Sequence, residues 1–309
     1  MRKILHIAAF ISLFISTVAA HDDLIIGVEK HRQQDVTIKT QKVAGNVYVL
    51  YGQGGNIGVS AGKDGLLMID DQFERISDKI KAALKELGSD EPKFIFNTHF
   101  HGDHTGGNPV FGRTGTIIAQ ENVRKRLLMN EKPFPDFALP IITYANSISI
   151  HFNGEEVRAV YFPKAHTDGD TVLFFTTSNV VHLGDHFFAG KFPFVDLDSG
   201  GSVPGLIKNV GELIQQIPSD AKIIPGHGEV STLDDLKKYH QMLIETTNVV
   251  RGAMDKKKSL DEIKKAGLPE KYKDWGTGFI NSDKWIETIY KSYSMNMLDM
   301  KNGKDTKKS

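Results

Sequence analysis

Cysteine is absent from this 309-residue chain. Its absence excludes disulfide bonds, thiolate metal ligands and cysteine nucleophiles together. Any metal site must therefore be built from histidine and carboxylate side chains. An excess of charge of one sign is also lacking, because 38 basic residues balance 38 acidic residues. A general nucleic-acid-binding protein would show a basic excess, so we expect no nucleic-acid partner.

A membrane-spanning run of apolar residues is lacking as well. Residues 4–18 follow a basic start and are mostly apolar, but they fall short of the ~20 residues that a helix needs to cross a bilayer. Small residues at 18–20 then precede the polar His21. This pattern is typical of a secretory signal peptide. We therefore predict that residues 1–20 are removed, that the mature protein is periplasmic or secreted, and that it keeps no stable membrane anchor.

The remaining chain changes character near residue 232. Residues 21–232 carry short apolar or alternating runs bounded by glycine-rich turns, with helical patterns between them, which predicts a mixed α/β domain. Residues 233–300 carry only helical patterns, which predicts a helical C-terminal appendage. One of these helices opens at a capping box of Ser259 and Glu262. The Lys-rich residues 301–309 are expected to be disordered.

The pattern within the α/β domain predicts individual strands and one long loop. A Pro- and Phe-rich segment, residues 130–146, is expected to form an ordered loop over one mouth of the core. Strands are predicted at residues 47–51, 57–60, 66–70, 93–97, 117–118, 148–152, 157–162, 172–176, 180–183 and 222–224.

One stretch, residues 98–104, concentrates chemistry in the first domain. It follows a short apolar strand and carries His99, His101, Asp103 and His104 within six residues. Two side chains that are two residues apart at a strand end project to one side. The following acid and imidazole sit on a turning loop and are able to aim at a neighbouring point. This geometry suits two metal ions side by side.

Three further residues stand in the same setting, each at a strand end beside a glycine turn. They are His166, Asp185 and His227. Side chains at the same end of several strands are what a ligand site at that edge requires. We interpret the seven residues as two groups, His99/His101/His166 and Asp103/His104/His227, with Asp185 bridging both. Imidazole and carboxylate ligands suit two zinc ions, with iron or manganese as alternatives.

Residues 40–230 resemble the metallo-β-lactamase superfamily. The resemblance rests on the pattern His-x-His-x-Asp-His at 99–104 and on the separate His166, Gly184-Asp185 and Gly226-His227-Gly228 positions. It implies a four-layer αβ/βα sandwich with a dinuclear metal site at one edge and metal roles for the seven residues named above. The aspartate at 185 is similar to the bridging aspartate of the glyoxalase II branch.

Two residues are candidates for supporting the metal ligands from behind. Asp70 ends a predicted strand and matches a common supporting position of the superfamily. His186 follows the predicted bridging residue, and for it a purely structural role is weighted equally. His182 is interpreted as a packed core histidine, and Asp168 and Asp170 as residues that hold the loop of His166.

The chemistry predicted for such a site is hydrolysis. A metal-bound hydroxide would attack the carbonyl of a small molecule that carries an ester, thioester or cyclic amide (β-lactam) bond. Asp103 is the candidate catalytic acid–base. Phe192, Phe194 and residues 196–202 either line the substrate pocket or form a simple glycine-rich loop. The oligomeric state stays open.

Other chemistries are known in the superfamily that this sequence resembles. An iron-dependent sulfur dioxygenase and a nuclease remain alternatives. A flavodiiron protein is disfavoured because it has Glu where this chain has His101. A non-enzymatic metal carrier would need a closed coordination shell, whereas this ligand set leaves room for water.

Overall fold

Two β-sheets pack face to face and enclose one hydrophobic core. The computed structural model describes residues 36–130 and 134–305, with side chains described as far as residue 295. The inner core joins apolar side chains of both sheets, among them Val49 and Phe96 from the first and Leu173 and Ile224 from the second. Alternate residues of these strands face outward and meet helices. The predicted αβ/βα sandwich is confirmed.

The first sheet has seven strands in the order β1-β2-β3-β4-β5-β6-β7. Its first four strands are antiparallel neighbours, whereas β4, β5, β6 and β7 run parallel to one another. Parallel neighbours end at the same edge of a sheet, so polar residues after β4 and β5 are brought together. The strands are β1 Lys39–Ala44, β2 Val47–Tyr51, β3 Ile57–Gly62, β4 Gly65–Ile69, β5 Phe94–Asn97, β6 Thr116–Gln120 and β7 Ile142–Tyr144.

The second sheet has five strands in the order β12-β11-β10-β9-β8. Only the pair β11 and β12 is parallel, and its two carboxyl ends therefore lie side by side. The strands are β8 Ser147–Phe152, β9 Glu155–Tyr161, β10 Thr171–Phe175, β11 Val180–His182 and β12 Lys222–Ile224.

Helices cover the outer faces of the sheets. Val123 and Leu127 of one helix pack with Ala119 of β6. Three helices of the C-terminal half pack on the second sheet, where the buried Trp285 lies in the same cluster as Leu206 and Tyr239. The helices are α1 Ser77–Lys85, α2 Gly102–Thr105, α3 Asn108–Phe111, α4 Glu121–Leu128, α5 Val203–Gln216, α6 Leu233–Asp255, α7 Leu260–Ala266 and α8 Ser282–Asp305.

The C-terminal helical region is present and packs on the α/β core. Helix α7 opens at Ser259 with the predicted capping box to Glu262. Helix α8 runs further than expected and includes residues 301–305. The helix predicted from the sequence ended near residue 297, and disorder of residues 301–309 stays a prediction.

Two further differences concern short elements. Part of the expected loop at residues 130–146 forms β7, which pairs with β6 at the edge of the first sheet. Residues 102–105 form one helical turn, α2, rather than an open loop. Strand β7 depends on its pairing with β6, and helix α2 depends on a few local hydrogen bonds. Neither element has a long periodic pattern in the sequence.

The predicted signal peptide, residues 1–20, lies outside the described residues. Within the part of the chain that the structure describes, no helix is long and apolar enough to cross a bilayer.

Candidate metal centre

The carboxyl ends of β5, β11 and β12 meet at one edge of the two sheets. Residues 98–104 leave β5 and turn at once through α2. Asp185 follows β11, His227 follows β12, and His166 lies on the connection between β9 and β10. The seven side chains singled out from the sequence lie together here, and both sheets contribute to the cluster.

The first group of the cluster contains His99, His101 and His166. Nε2 of His166 lies 2.8 Å from Nδ1 of His101 and 3.1 Å from Nε2 of His99. Oδ2 of Asp185 lies 3.3 Å from the same His166 nitrogen and 3.8 Å from Nε2 of His99. Bonds of ~2.0–2.1 Å to a tetrahedral zinc ion place ligand atoms about 3.3 Å apart, which is close to these spacings.

The second group contains Asp103, His104 and His227. Oδ2 of Asp103 lies 3.5 Å from Nε2 of His104 and 3.4 Å from Nε2 of His227. Oδ1 of Asp185 lies 3.3 Å from the His104 nitrogen and 3.5 Å from the His227 nitrogen. The two oxygens of Asp185 are therefore divided, one facing each group.

Hydrogen bonds on the outer side of the imidazoles fix where their lone pairs point. Nδ1 of His166 lies 2.8 Å from the carbonyl oxygen of Phe194. Nδ1 of His104 lies 2.7 Å from Oδ2 of Asp70. Carbonyl and carboxylate oxygens accept only, so these nitrogens carry the hydrogen and the Nε2 lone pairs face the cluster. Each group therefore presents at least one inward-facing lone pair, which favours a cation within that group.

Unpaired buried atoms support the same conclusion. Nε2 of His104 and Oδ1 of Asp185 are buried and have no hydrogen-bond partner among the described residues. A buried polar atom without a partner costs about 1–3 kcal/mol. Coordination to a divalent ion would satisfy both atoms, so the side chains present fit two metal ions.

Burial and charge hold most of the cluster in the protonation states that metal ligation needs. Burial lowers the pKa of His166 to about 3. Burial alone would raise the pKa of Asp103, but His104 and His227 outweigh it and lower this pKa to about 2. Burial opposes charge on the latter two imidazoles, yet the carboxylates, Asp185 first, raise the pKa of both, that of His227 to about 9. The second group therefore favours a cation, and a metal ion and protons compete for it.

Comparison with known proteins agrees with this geometry. The family model described as the metallo-beta-lactamase superfamily matches residues 42–246. The chain belongs to the metallo-β-lactamase superfamily. Members of this superfamily are mostly hydrolytic enzymes, and they typically bind metal ions.

The relatives found are distant. A hydroxyacylglutathione hydrolase of Synechococcus sp. (strain JA-2-3B'a(2-13)) is 27% identical over 115 residues, which span 37% of this chain and 42% of that protein. The solved metallo-beta-lactamase from Pontibacter korlensis has a TM-score of 0.57 at 17% identity and covers 67% of this chain and 99% of its own. A double mutant of the sec-alkyl sulfatase PisA1 has a TM-score of 0.66 at 13% identity, covering 83% of this chain and 50% of its own.

Two glycines allow the backbone to pass close to the proposed metal ligands. A Cβ atom on Gly55 would overlap the His104 ring, and one on Gly226 would overlap Oδ1 of Asp185 and lie 2.7 Å from the backbone of Gly184. Backbone can approach these side chains so closely only where Cβ is missing. The glycine turns noted in the sequence therefore have a packing reason.

We expect Gly226→Ala to displace the Asp185 carboxylate and to lower turnover roughly 10²-fold, the cost of about 1 Å of misplacement at a reacting centre. Bound metal per chain should fall with it. The matched control is Gly252→Ala in α6, where a Cβ would meet nothing within 4 Å. That substitution should stabilise the helix by about 0.5–1 kcal/mol and leave metal content unchanged. Equal metal content in both variants would contradict the expectation.

The side chains of the cluster differ in their exposure to solvent. The side chains of Asp103 and His227 are about one third exposed and that of His101 is 18% exposed, whereas His99, His104 and His166 are buried. A molecule that reaches the cluster from solvent would therefore meet these partly exposed side chains first.

A groove of about 600 Å³ adjoins the cluster, between residues 194–198 and helix α8. Phe194 links the two, because its ring centroid lies 5.6 Å from that of His101 and 6.1 Å from that of Phe279 in the groove. Ile280 and Lys284 complete much of the wall. The groove thus begins beside the first group at Phe194, and its wall combines apolar side chains with charged side chains of both signs.

The supporting residues predicted from the sequence have different surroundings. Asp70 is fully buried and contacts both the His104 ring and the backbone and hydroxyl of Thr98. His186 is buried too, but neither of its ring nitrogens has a hydrogen-bond partner among the described residues, so the structure does not connect it to a ligand. Nε2 of His182 lies 3.1 Å from the carbonyl oxygen of Asn56 in the core, as expected for a packed core histidine.

The loop of His166 is held by its own carboxylate. Asp170 accepts hydrogen bonds from the backbone of His166 at 2.7 Å and of Thr167 at 2.8 Å. Asp168 instead pairs with Arg126, at 2.8 Å. Asp170 therefore holds the loop directly, and Asp168 ties it to helix α4.

Sequence reasoning missed three residues that organise the site. Gln72 donates to the Gly55 carbonyl and accepts from Gln53, which pins the glycine-rich loop against the cluster. Asn56 donates to the carbonyls on either side of His227. The third is Asp196, whose Oδ2 lies 2.9 Å from Nε2 of His101. Gln72 lies three residues after the end of β4 and two after the predicted site residue Asp70, which is the only local signal for it, whereas the roles of Asn56 and Asp196 depend on folding alone.

Proposed function

We propose that this protein is a metal-dependent hydrolase that binds two zinc ions and cleaves an ester, thioester or cyclic amide bond of a small molecule. The observation that carries the proposal is the division of the Asp185 oxygens between two groups of inward-facing ligands. Iron and manganese are the alternative metals. Since the N-terminal residues resemble a signal peptide, we also propose that the protein acts outside the cytoplasm.

The proposed ligands divide as the geometry does. His99, His101 and His166 would hold one ion, and Asp103, His104 and His227 the other, with Asp185 between them. Two ions held there would polarise a carbonyl oxygen and lower the pKa of a bound water to ~7.

Asp103 is the residue proposed to handle the proton. Its pKa of about 2 keeps it ionised at neutral pH, and it is one of the partly exposed side chains of the cluster. It would orient the attacking water by accepting a hydrogen bond from it. It would then take up the proton that the water loses as its oxygen bonds to the carbonyl carbon, a loss that two bound ions would make easier. The bond from that carbon to the leaving oxygen, sulfur or nitrogen then breaks, and Asp103 returns the proton to the leaving atom. No serine nucleophile is required.

Among the bonds considered, a thioester is the substrate that the relatives favour most. One curated relative is a hydroxyacylglutathione hydrolase, which matches 37% of this chain. The groove beside Phe194 supports a substrate with an apolar group. β-Lactams and lactones remain alternatives within the same chemistry.

The test combines metal analysis with a substrate panel. We expect purified protein in excess zinc to bind two metal ions per chain and to hydrolyse at least one of a thioester, a lactone and nitrocefin, with activity lost after chelation and restored by zinc. Asp103→Asn should lower turnover roughly 10²–10⁴-fold, the usual contribution of a general acid–base group. Full activity with one metal ion per chain, or a covalent acyl-enzyme on serine or threonine, would overturn the proposal. Oxygen uptake by the iron-loaded protein would favour the dioxygenase.

A further inference from the structure

Residues 194–201, which we name the clasp loop, touch two of the proposed ligands on their outer side. The Phe194 carbonyl accepts from Nδ1 of His166, at 2.8 Å. Oδ2 of Asp196 lies 2.9 Å from Nε2 of His101. The backbone nitrogen of Asp196 also donates to the His166 carbonyl, at 2.8 Å. Asp196 therefore contacts both residues, the imidazole of His101 through its side chain and the backbone carbonyl of His166 through its own backbone nitrogen.

The Asp196 carboxylate is held in place by its own loop. Its Oδ1 accepts from the backbone nitrogen of Ser199 at 3.1 Å, so only Oδ2 is directed at His101. Its carbonyl accepts from the nitrogen of Gly201 at 2.8 Å. The side chain is only 16% exposed. The carboxylate is thus held at both oxygens, and it cannot rotate without losing its hydrogen bonds to Ser199 and His101.

The two nitrogens of His101 have opposite duties. Nδ1 faces the first group, 2.8 Å from Nε2 of His166, and must offer a lone pair to bind a metal ion. Nε2 must then carry the hydrogen, and a carboxylate is the partner that accepts it most strongly. An amide at position 196 would have one oxygen for two donors, so it would lose either the Ser199 bond or the His101 bond.

We propose that Asp196 is a positioning residue for the first metal site, where it fixes the tautomer and the ring orientation of His101. The inference rests on the proposed function, because it presumes that the first group binds a metal ion. It adds a residue outside the seven proposed ligands. The same carboxylate lines the substrate groove, so the groove wall and the metal ligand share one side chain.

The test measures zinc affinity by competition with a chelator in two backgrounds. His227→Ala weakens the second group and leaves the first as the tighter site, whereas His166→Ala does the reverse. We expect Asp196→Ala to lower zinc affinity 10–100-fold in the His227→Ala background, the usual loss when a metal ligand loses its supporting partner. In the His166→Ala background it should change affinity less than threefold.

Controls separate positioning from damage to the loop. Asp196→Asn keeps the side-chain volume and should still lose affinity in the His227→Ala background. The exposed Asp198 lies in the same loop, and Asp198→Asn should leave both affinities unchanged. An unchanged affinity in both Asp196 variants, or an equal loss in both backgrounds, would overturn the inference. Wild-type protein that binds no zinc would instead overturn the proposed function.

Discussion

Asp185→Ala is expected to abolish catalysis more completely than the loss of any single histidine, because this carboxylate faces both groups. Turnover should fall on the order of 10³-fold or more, equivalent to about 4 kcal/mol of activation free energy. Asp185 is buried, and its Oδ1 and Oδ2 lie within 3.3–3.8 Å of four imidazole nitrogens. Removing it leaves those imidazoles without their shared anion.

Asp185→Asn separates shape from charge. The amide keeps the volume of the carboxylate but offers one oxygen instead of two. We expect metal content to fall from two ions to one, with the first group retaining its three histidines, and turnover to fall in parallel. Asp220→Asn, at an exposed turn, is the matched control and should change neither quantity. Wild-type turnover by the Asp185→Asn protein with one bound ion would exclude the bridging role.

The second large effect is expected at Asp70. Its Oδ1 accepts from the Thr98 backbone nitrogen at 2.7 Å, and its Oδ2 lies 2.7 Å from both the Thr98 hydroxyl and Nδ1 of His104. It is fully buried and holds the left-handed backbone angle φ 60°. Asp70→Ala removes the anion from a buried charged network, so the free energy of unfolding should fall by about 3–5 kcal/mol. Urea unfolding of the metal-free protein measures it.

The neighbouring Asp71 supplies the control for this prediction. Burial raises the pKa of Asp71 well above its usual range, so its carboxyl group is favoured in the neutral form. One of its oxygens accepts from the Gly107 nitrogen, and the other has no partner among the described residues. Asp71→Asn exchanges a neutral acid for a neutral amide of the same size and should cost much less than Asp70→Ala. Equal destabilisation by the two substitutions would contradict the role given to Asp70.

The proposed ligands could be found in the sequence because their signal is local. Six of the seven follow the ends of β5, β11 and β12, each of which has a parallel neighbour, and parallel strands end at the same edge of a sheet. His166 instead lies on the connection between the antiparallel strands β9 and β10. The same argument located Asp70 at the end of β4. The distances could not be predicted from the sequence, and only the structure shows that Oδ1 of Asp185 faces one group and Oδ2 the other.

The remaining features depend on contacts between distant segments. Asp196 lies 95 residues from His101, and no local sequence pattern indicates that its carboxylate contacts that ring. Strand β7 has three residues and exists through its pairing with β6. For His186 the sequence left a supporting role and a structural role open, and neither ring nitrogen has a hydrogen-bond partner among the described residues.

The origin of the ligands in both sheets has a consequence for a chain that has no cysteine. His99 and His166 are separated by 67 residues, and an ion held by both would act as a cross-link between the two sheets. Closing a loop of that length removes about 4 kcal/mol of chain entropy from the unfolded state by the estimate used for disulfide bonds. Metal coordination would thus stabilise the fold as disulfide bonds do in other proteins. Chelation would lower the free energy of unfolding as well as stop the reaction.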